Sequence, residues 1–158
     1  QLDRFMFRIL IDYPTFEEEL AIAETTTSQD KPDLNALLDG AEIMQLQQVV
    51  RKVIVGKSTA AYAVRLVRAT RPDTDDSPDF VKQYLTWGAG PRACQALLMG
   101  AKANALLEGR FNASIDDIQY VASPVLRHRL VTSFSAESDG VTTDKIISDL
   151  CDQTSEEL

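Results

Sequence analysis

The chain has 158 residues and a mass of 17.5 kDa, with 16 Lys and Arg against 24 Asp and Glu for a formal charge of −8. This length sets one domain as the default and two small ones as the limit, and 44% hydrophobic residues are enough for a real core. The acidic balance argues against a nucleic-acid-binding surface, and no apolar run approaches the ~20 residues that span a bilayer, so membrane insertion is not expected.

The start of the chain has no signal-peptide layout, and Gln1 is not an initiator residue. The abrupt opening QLDRFMFRILIDYP reads as a piece of a longer protein. Phe5, Phe7, Ile9 and Ile11 alternate with Met6, Arg8, Leu10 and Asp12, which predicts a strand over 5–12 ending before Pro14. Its sheet partners are not evident in the rest of the chain. Thr15 with Glu18 forms a capping-box pattern opening a helix that should weaken through Thr25, Thr26 and Thr27. Residues 28–39 read as a polar connection around Pro32.

Ile43, Leu46, Val50, Val53 and Ile54 recur at helical spacing over 40–55, with Gly56 as the stop. Ser58 is expected to cap the next helix, which buries Ala63, Leu66, Val67 and Ala69. An acidic turn-rich loop (71–79) precedes FVKQYLTW (80–87), a helical turn or a strand. Pro91 suits the first turn of a helix to about Glu108 that buries Cys94, Leu97, Leu98, Ala101 and Ala105, with Gly109 beyond its end. Ser114 with Asp117 caps a helix expected to end by Ala122, before Pro124. Residues 131–142 read as extended or looped, Thr143 as the cap of a last short helix, and the tail as frayed. The body is thus predicted to be an all-α bundle of five or six helices behind one strand.

Several kinds of site can be discounted. GKST at 56–59 lacks the upstream glycine of a phosphate loop, because Arg51 occupies that position, and it follows a helical rather than a strand pattern. The run Asp73, Asp75, Asp76, Asp79 has Pro78 where a calcium loop needs glycine and Tyr84 where it needs glutamate. His128 is the only histidine, between Arg127 and Arg129, and reads as a packed or capping ring; the two arginines read as surface or capping groups before any ligand role. Cys94 and Cys151 form no CxxC or Cys/His cluster, so no disulfide framework or metal site is indicated and a reducing, cytoplasmic setting is expected.

Two groups of motifs, in order, resemble the end of the ATPase core and the helical lid of MoxR-type AAA+ ATPases. The first is QLDRF (1–5) with the following strand and Asp12-Tyr13-Pro14, similar to the family's LDRF motif before its last core strand. The second is WGAGPRACQALLMGAKANALLEGR (87–110), similar to the GASPRA helix, then ASIDDI (113–118) and PVLRHRL (124–130). The resemblance spans nearly the whole chain and is weakest over 28–39 and in the tail. It implies residues 1–14 as the C-terminal strand of the core and 15–158 as the lid.

The resemblance also implies chemistry. Arg4 matches the arginine finger, which acts in trans on the γ-phosphate of ATP held by a neighbouring subunit. Arg92 matches sensor 2, with Gly88, Gly90 and Pro91 shaping the turn into its helix; Gly90 stands where many relatives carry serine. Whether Arg92 acts in cis or in trans stays open. ATP with Mg2+, a ring that is a hexamer, chaperone-like remodelling and von Willebrand A-type partner proteins are implied for the whole ATPase. The chain lacks the Walker motifs and is expected to hydrolyse nothing alone. Read without the family, Arg4 could simply pair with an acidic neighbour, and the chain could be an acidic all-α interaction module without nucleotide chemistry. A DNA-associated regulator is opposed by the charge.

Overall fold

The computed structural model describes residues 1–28, 34–75 and 77–154. Among these, a 3-10 turn at Leu2–Arg4 is followed by α1 (Phe16–Thr27), α2 (Gly40–Lys52), β1 (Ile54–Val55), α3 (Lys57–Ala69), α4 (Asp79–Tyr84) and β2 (Leu85–Trp87). Then come α5 (Pro91–Leu107), β3 (Asn112–Ala113), α6 (Ile115–Leu126), β4 (Val131–Thr132), α7 (Phe134–Ser138) and α8 (Thr143–Gln153). The all-α class expected from the sequence is the class observed. Pro32, Asp76 and the end of the tail lie outside the described residues.

Local chemistry sets most helix starts. At α1 the Thr15 amide donates to Glu18 Oε2 at 2.8 Å, and the Glu18 amide donates to Thr15 Oγ1 at 3.3 Å. Asp39 and Glu42 repeat this reciprocal cap at α2. The hydroxyls of Thr25, Thr26 and Thr27 each donate to the carbonyl four residues back, at 2.7 Å, and α1 stops there.

α5 is the axis of the bundle. Its buried side consists of Ala93, Ala96, Leu97, Gly100, Ala101 and Ala105, mostly residues small enough for close helix approach. α6 packs along it with Ile118, Val121, Ala122, Val125 and Leu126 buried, and α3 contributes Tyr62, Ala63, Leu66 and Val67. α8 closes the core with Ile146, Ile147 and Leu150. Two short ladders tie the connections together: β1 runs parallel to β3, and β2 antiparallel to β4.

Asp117 organises the α5–α6 junction. Its side chain is 1% exposed. It accepts from Arg110 Nη2 at 2.6 Å and Nη1 at 2.8 Å, from Asn104 Nδ2 at 2.7 Å and from the Ser114 amide at 2.8 Å. The guanidinium and these donors hold the carboxyl far below the usual carboxylate range, outweighing the opposing effect of burial. Gly109, at φ +72°, makes the turn that brings Arg110 back.

Several local expectations require correction. Residues 5–12 form no strand: the chain bends at Phe5 and Met6, and the described residues supply no ladder partner. The segment's backbone–backbone bond to a helix among the described residues is Arg8 N to Pro124 O at 2.8 Å. α2 stops at Lys52, so Ile54 lies in β1, and Gly56 is the N-cap of α3 rather than a stop, leaving Ser58 inside the first turn. FVKQYLTW is both a helical turn and a strand, and residues 131–142 contain β4 and α7. α6 continues through Pro124. A proline inside a helix costs about 3 kcal/mol, but burying Val121, Val125 and Leu126 contributes roughly 1.5–3 kcal/mol each, so packing prevails. Thr142, not Thr143, caps α8.

Asp117→Ala is expected to lower unfolding free energy by about 2 kcal/mol, because it removes the buried acceptor shared by Asn104 Nδ2 and the Ser114 amide at the start of α6; urea denaturation measures it. The depressed folded-state pKa means that Asp117 stabilises the fold above its unfolded value of about 3.9 and that this contribution is lost as pH falls below it. The variant should therefore show a shallower loss of stability in acid below pH ~4.

Candidate functional site

The turn into α5 is built on a close backbone approach. Ala89 N donates to Thr70 Oγ1 at 2.9 Å, and Arg71 Nε donates to the Ala89 carbonyl at 3.1 Å. A Cβ on Gly88 would sit 2.3 Å from the Thr70 carbonyl oxygen, so only glycine fits. Gly90 is the N-cap of α5 at φ −88°, and a Cβ there would meet nothing within 4 Å. Gly88 is thus set by packing against the end of α3, while Gly90 accepts a side chain. Pro91 occupies the first helical position, where its missing N–H costs nothing.

Arg92 follows at the amino end of α5, where the helix dipole disfavours a cation. Its guanidinium is 57% exposed, and Nη1 lies 3.6 Å from Asp3 Oδ2. The same carboxylate accepts from Arg129 Nε at 3.0 Å through Oδ1. Arg4 is exposed in the adjoining 3-10 turn, and its side chain makes no hydrogen bond or ion pair among the described residues. Arg4, Arg92, Asp3, Arg129, Gln95 and Met99 border one open depression of about 430 Å³.

The residues of PVLRHRL grip the N-terminal segment. Arg129 is buried, with a side chain 3% exposed, contrary to its reading as a surface or capping group. It donates to the carbonyls of Asp3, Phe5, Met6 and Val125 as well as to the Asp3 carboxylate. Arg127 pairs with Asp144 at 3.0 Å and donates to the Arg8 carbonyl. His128 is the packed ring anticipated: Nε2 lies 3.0 Å from the Phe5 carbonyl, which can only accept, so that nitrogen carries the proton. Nδ1 is buried without a hydrogen-bond partner among the described residues, and burial pushes the ring below the ordinary imidazole pKa, keeping it neutral.

Two exposed guanidinium groups around a hollow fit phosphate oxygens. Asp3, the nearest carboxylate, is engaged by arginines, and no group of three or more His, Cys, Asp or Glu among the described residues could hold a metal ion. A Mg2+ ion bound with ATP would need ligands from elsewhere. The sequence singled out Arg4, Arg92 and the glycines but missed Asp3, and it misplaced Arg129. The one available signal was an Arg-His-Arg run directly after an apolar helix. The N-terminal partners of His128 and Arg129 lie more than 120 residues away.

Gly88→Ala is expected to destabilise the fold by about 3 kcal/mol, roughly 6–12 °C in Tm, whereas Gly90→Ser should leave Tm nearly unchanged. Thermal denaturation of the two variants side by side measures the contrast.

Residues 78–150 match the AAA lid domain family. The chain is 33% identical over 147 residues to the chaperone MoxR1 of Mycobacterium tuberculosis, covering 93% of this chain and 39% of that protein. It is 31% identical over 151 residues to the uncharacterized protein YeaC of Bacillus subtilis, covering 95% and 44%. A crystallised candidate ATPase from Cytophaga hutchinsonii superposes with a TM-score of 0.87 at 27% identity, over 98% of this chain and 47% of that one. The chain spans about two fifths of the length of the curated relatives it matches. Motif order, helical architecture and these likenesses agree on a MoxR-type AAA+ lid: residues 78–150 match the lid family, and the chain is similar to MoxR-type proteins along nearly its whole length.

Proposed function

We propose that this chain is the lid of a ring-forming, ATP-hydrolysing remodelling protein, in which Arg4 is the arginine finger and Arg92 is sensor 2. The observation that carries the reading is the shared depression: Arg4 and Arg92 stand on its rim, both exposed, one with no side-chain partner among the described residues and the other held by a long ion pair. Phosphoryl transfer spreads negative charge over the terminal phosphate oxygens, and a planar, permanently charged guanidinium stabilises it. Such a finger contributes ~10³–10⁵ in rate, or about 4–7 kcal/mol of barrier. Because both groups face one hollow, they address one phosphate chain, presented by a neighbouring subunit. Gly88 and Pro91 set the start of α5 and thereby the place of Arg92.

ATP and Mg2+ are held by the nucleotide-binding core, and this chain supplies cations to the phosphates. The apolar side chains left in solvent along 5–22 and on α2, among them Ile9, Ile11, Phe16 and Leu20, are the surface that the core covers. Hydrolysis in a hexamer would then move the lid against the next subunit and drive chaperone-like maturation of partner complexes, with von Willebrand A-type proteins as the partner class and the cytoplasm as the setting. The rival reading, an interaction module without nucleotide chemistry, accounts for the exposed apolar residues but leaves two cations facing an empty hollow.

In the complete ATPase, Arg4→Ala should reduce turnover by ~10³-fold or more while nucleotide affinity stays within about threefold. Steady-state hydrolysis and equilibrium nucleotide binding separate the two, and unchanged turnover removes the finger assignment. The chain alone, incubated with Mg-ATP, should show no steady hydrolysis; turnover at ordinary rates would contradict the reading.

A further inference from the structure

We propose that Arg129, acting with Asp3, is the positioning residue for Arg4 and locks the finger-bearing turn to the lid as one rigid body. The proposal rests on Arg4 being the phosphate-facing cation. Arg129 Nη2 donates to the Asp3 carbonyl at 3.0 Å and to the Phe5 carbonyl at 2.7 Å, the two residues flanking Arg4. Nη1 donates to Met6 O at 3.2 Å and to Val125 O, and Nε to the Asp3 carboxylate at 3.0 Å. A buried guanidinium needs its donors satisfied, and here the N-terminal turn satisfies nearly all of them. The backbone on both sides of Arg4 is therefore fixed, while its side chain is left in solvent.

The neighbours of Arg129 extend the grip. The Arg8 amide donates to Pro124 O at 2.8 Å, Arg127 Nη1 donates to Arg8 O at 3.2 Å, and the Phe7 ring lies against Gly100 of α5, where a Cβ would come within 3.1 Å of it. Asp3 also sets a spacing. Oδ1 faces the buried Arg129 and Oδ2 the exposed Arg92, so the residue that precedes Arg4 in the chain is tied by its carboxylate to Arg92 as well. The Arg92 pair is long and exposed, and so can open when phosphate arrives; the Arg129 pair is shorter and its guanidinium is buried. A swing of the lid consequently displaces Arg4 and Arg92 together.

The test uses Arg129→Lys and Asp3→Asn in the complete ATPase. A lysine keeps the charge but cannot span these acceptors with a planar fork. Misplacing a catalytic group by about 1 Å costs up to ~10²-fold, so Arg129→Lys should lower kcat by about 10- to 100-fold with KM for ATP within about twofold. Asp3→Asn keeps the backbone carbonyl contacts and should lose about threefold, as one charged hydrogen bond becomes neutral. Adding Arg129→Lys to Arg4→Ala should slow the enzyme no further. Hydrogen exchange supplies the structural readout: the Phe5 and Arg8 amides should exchange at least tenfold faster in Arg129→Lys while α6 stays protected. Unchanged exchange at Phe5 and Arg8 overturns the proposal. Faster exchange with wild-type turnover, where Arg4→Ala is inactive, overturns the positioning role and leaves the finger standing. Wild-type turnover in Arg129→Lys and in Arg4→Ala alike overturns the finger assignment and the proposal with it.

Discussion

The close approach of α6 and of the N-terminal segment to one helix is the constraint from which the rest of this fold follows. α5 presents Ala93, Ala96, Gly100, Ala101 and Ala105 around Leu97 as a surface of mostly small residues, and Val121 of α6 and Phe7 from the other end of the chain both come to rest beside Gly100. A bulkier residue at that point would push both away. Close packing at one place on α5 therefore sets the angle at which α6 leaves it, and the angle determines where the residues after α6 reach. Those residues are Arg127, His128 and Arg129, and they reach the backbone of Asp3–Arg8.

Burial is divided unevenly along the chain. Every residue classed as buried among the described residues lies at Val53 or later, although the first third is rich in Phe, Ile and Leu. α1 has a complete capping box and no buried residue, and is held by its local bonds. Local propensity and packing act separately here: caps and threonine back-bonds define where α1 begins and ends, whereas α3, α5, α6 and α8 are helices because one face of each is enclosed.

What could be read in advance follows the same division. Features that depend on residues three or four apart were legible: the caps at Thr15 and Ser114, the proline opening α5, the turn at Gly109. The helical class was legible from the spacing of Leu66, Leu97 and their neighbours. Features that depend on distant partners were not. The ladders β1–β3 and β2–β4 involve two or three residues per strand, too short for an alternation pattern, and exist because helices packed elsewhere bring them together. Pro124 read as a break because its local cost was visible while the burial that outweighs it was not. In the candidate site, Arg4 and Arg92 were found through family motifs, and the need for a glycine at position 88 became physical only once the Thr70 carbonyl was seen beneath it. Asp3 and Arg129, separated by 126 residues, gave no pattern that a linear reading could use.

The staple between Thr70 and the Gly88–Ala89 turn has a mechanical consequence. Thr70 terminates α3, and its hydroxyl holds the residues that launch α5. α8 leans on both α3 and α6, the helices that end respectively at this staple and at the Arg127–Arg129 grip. A load applied to α8 by a bound protein would thus be split into two strokes, one reaching the start of α5 and the other reaching the opening turn of the chain. α8, seated on both of those helices, is placed to act as a lever on both arginines at once.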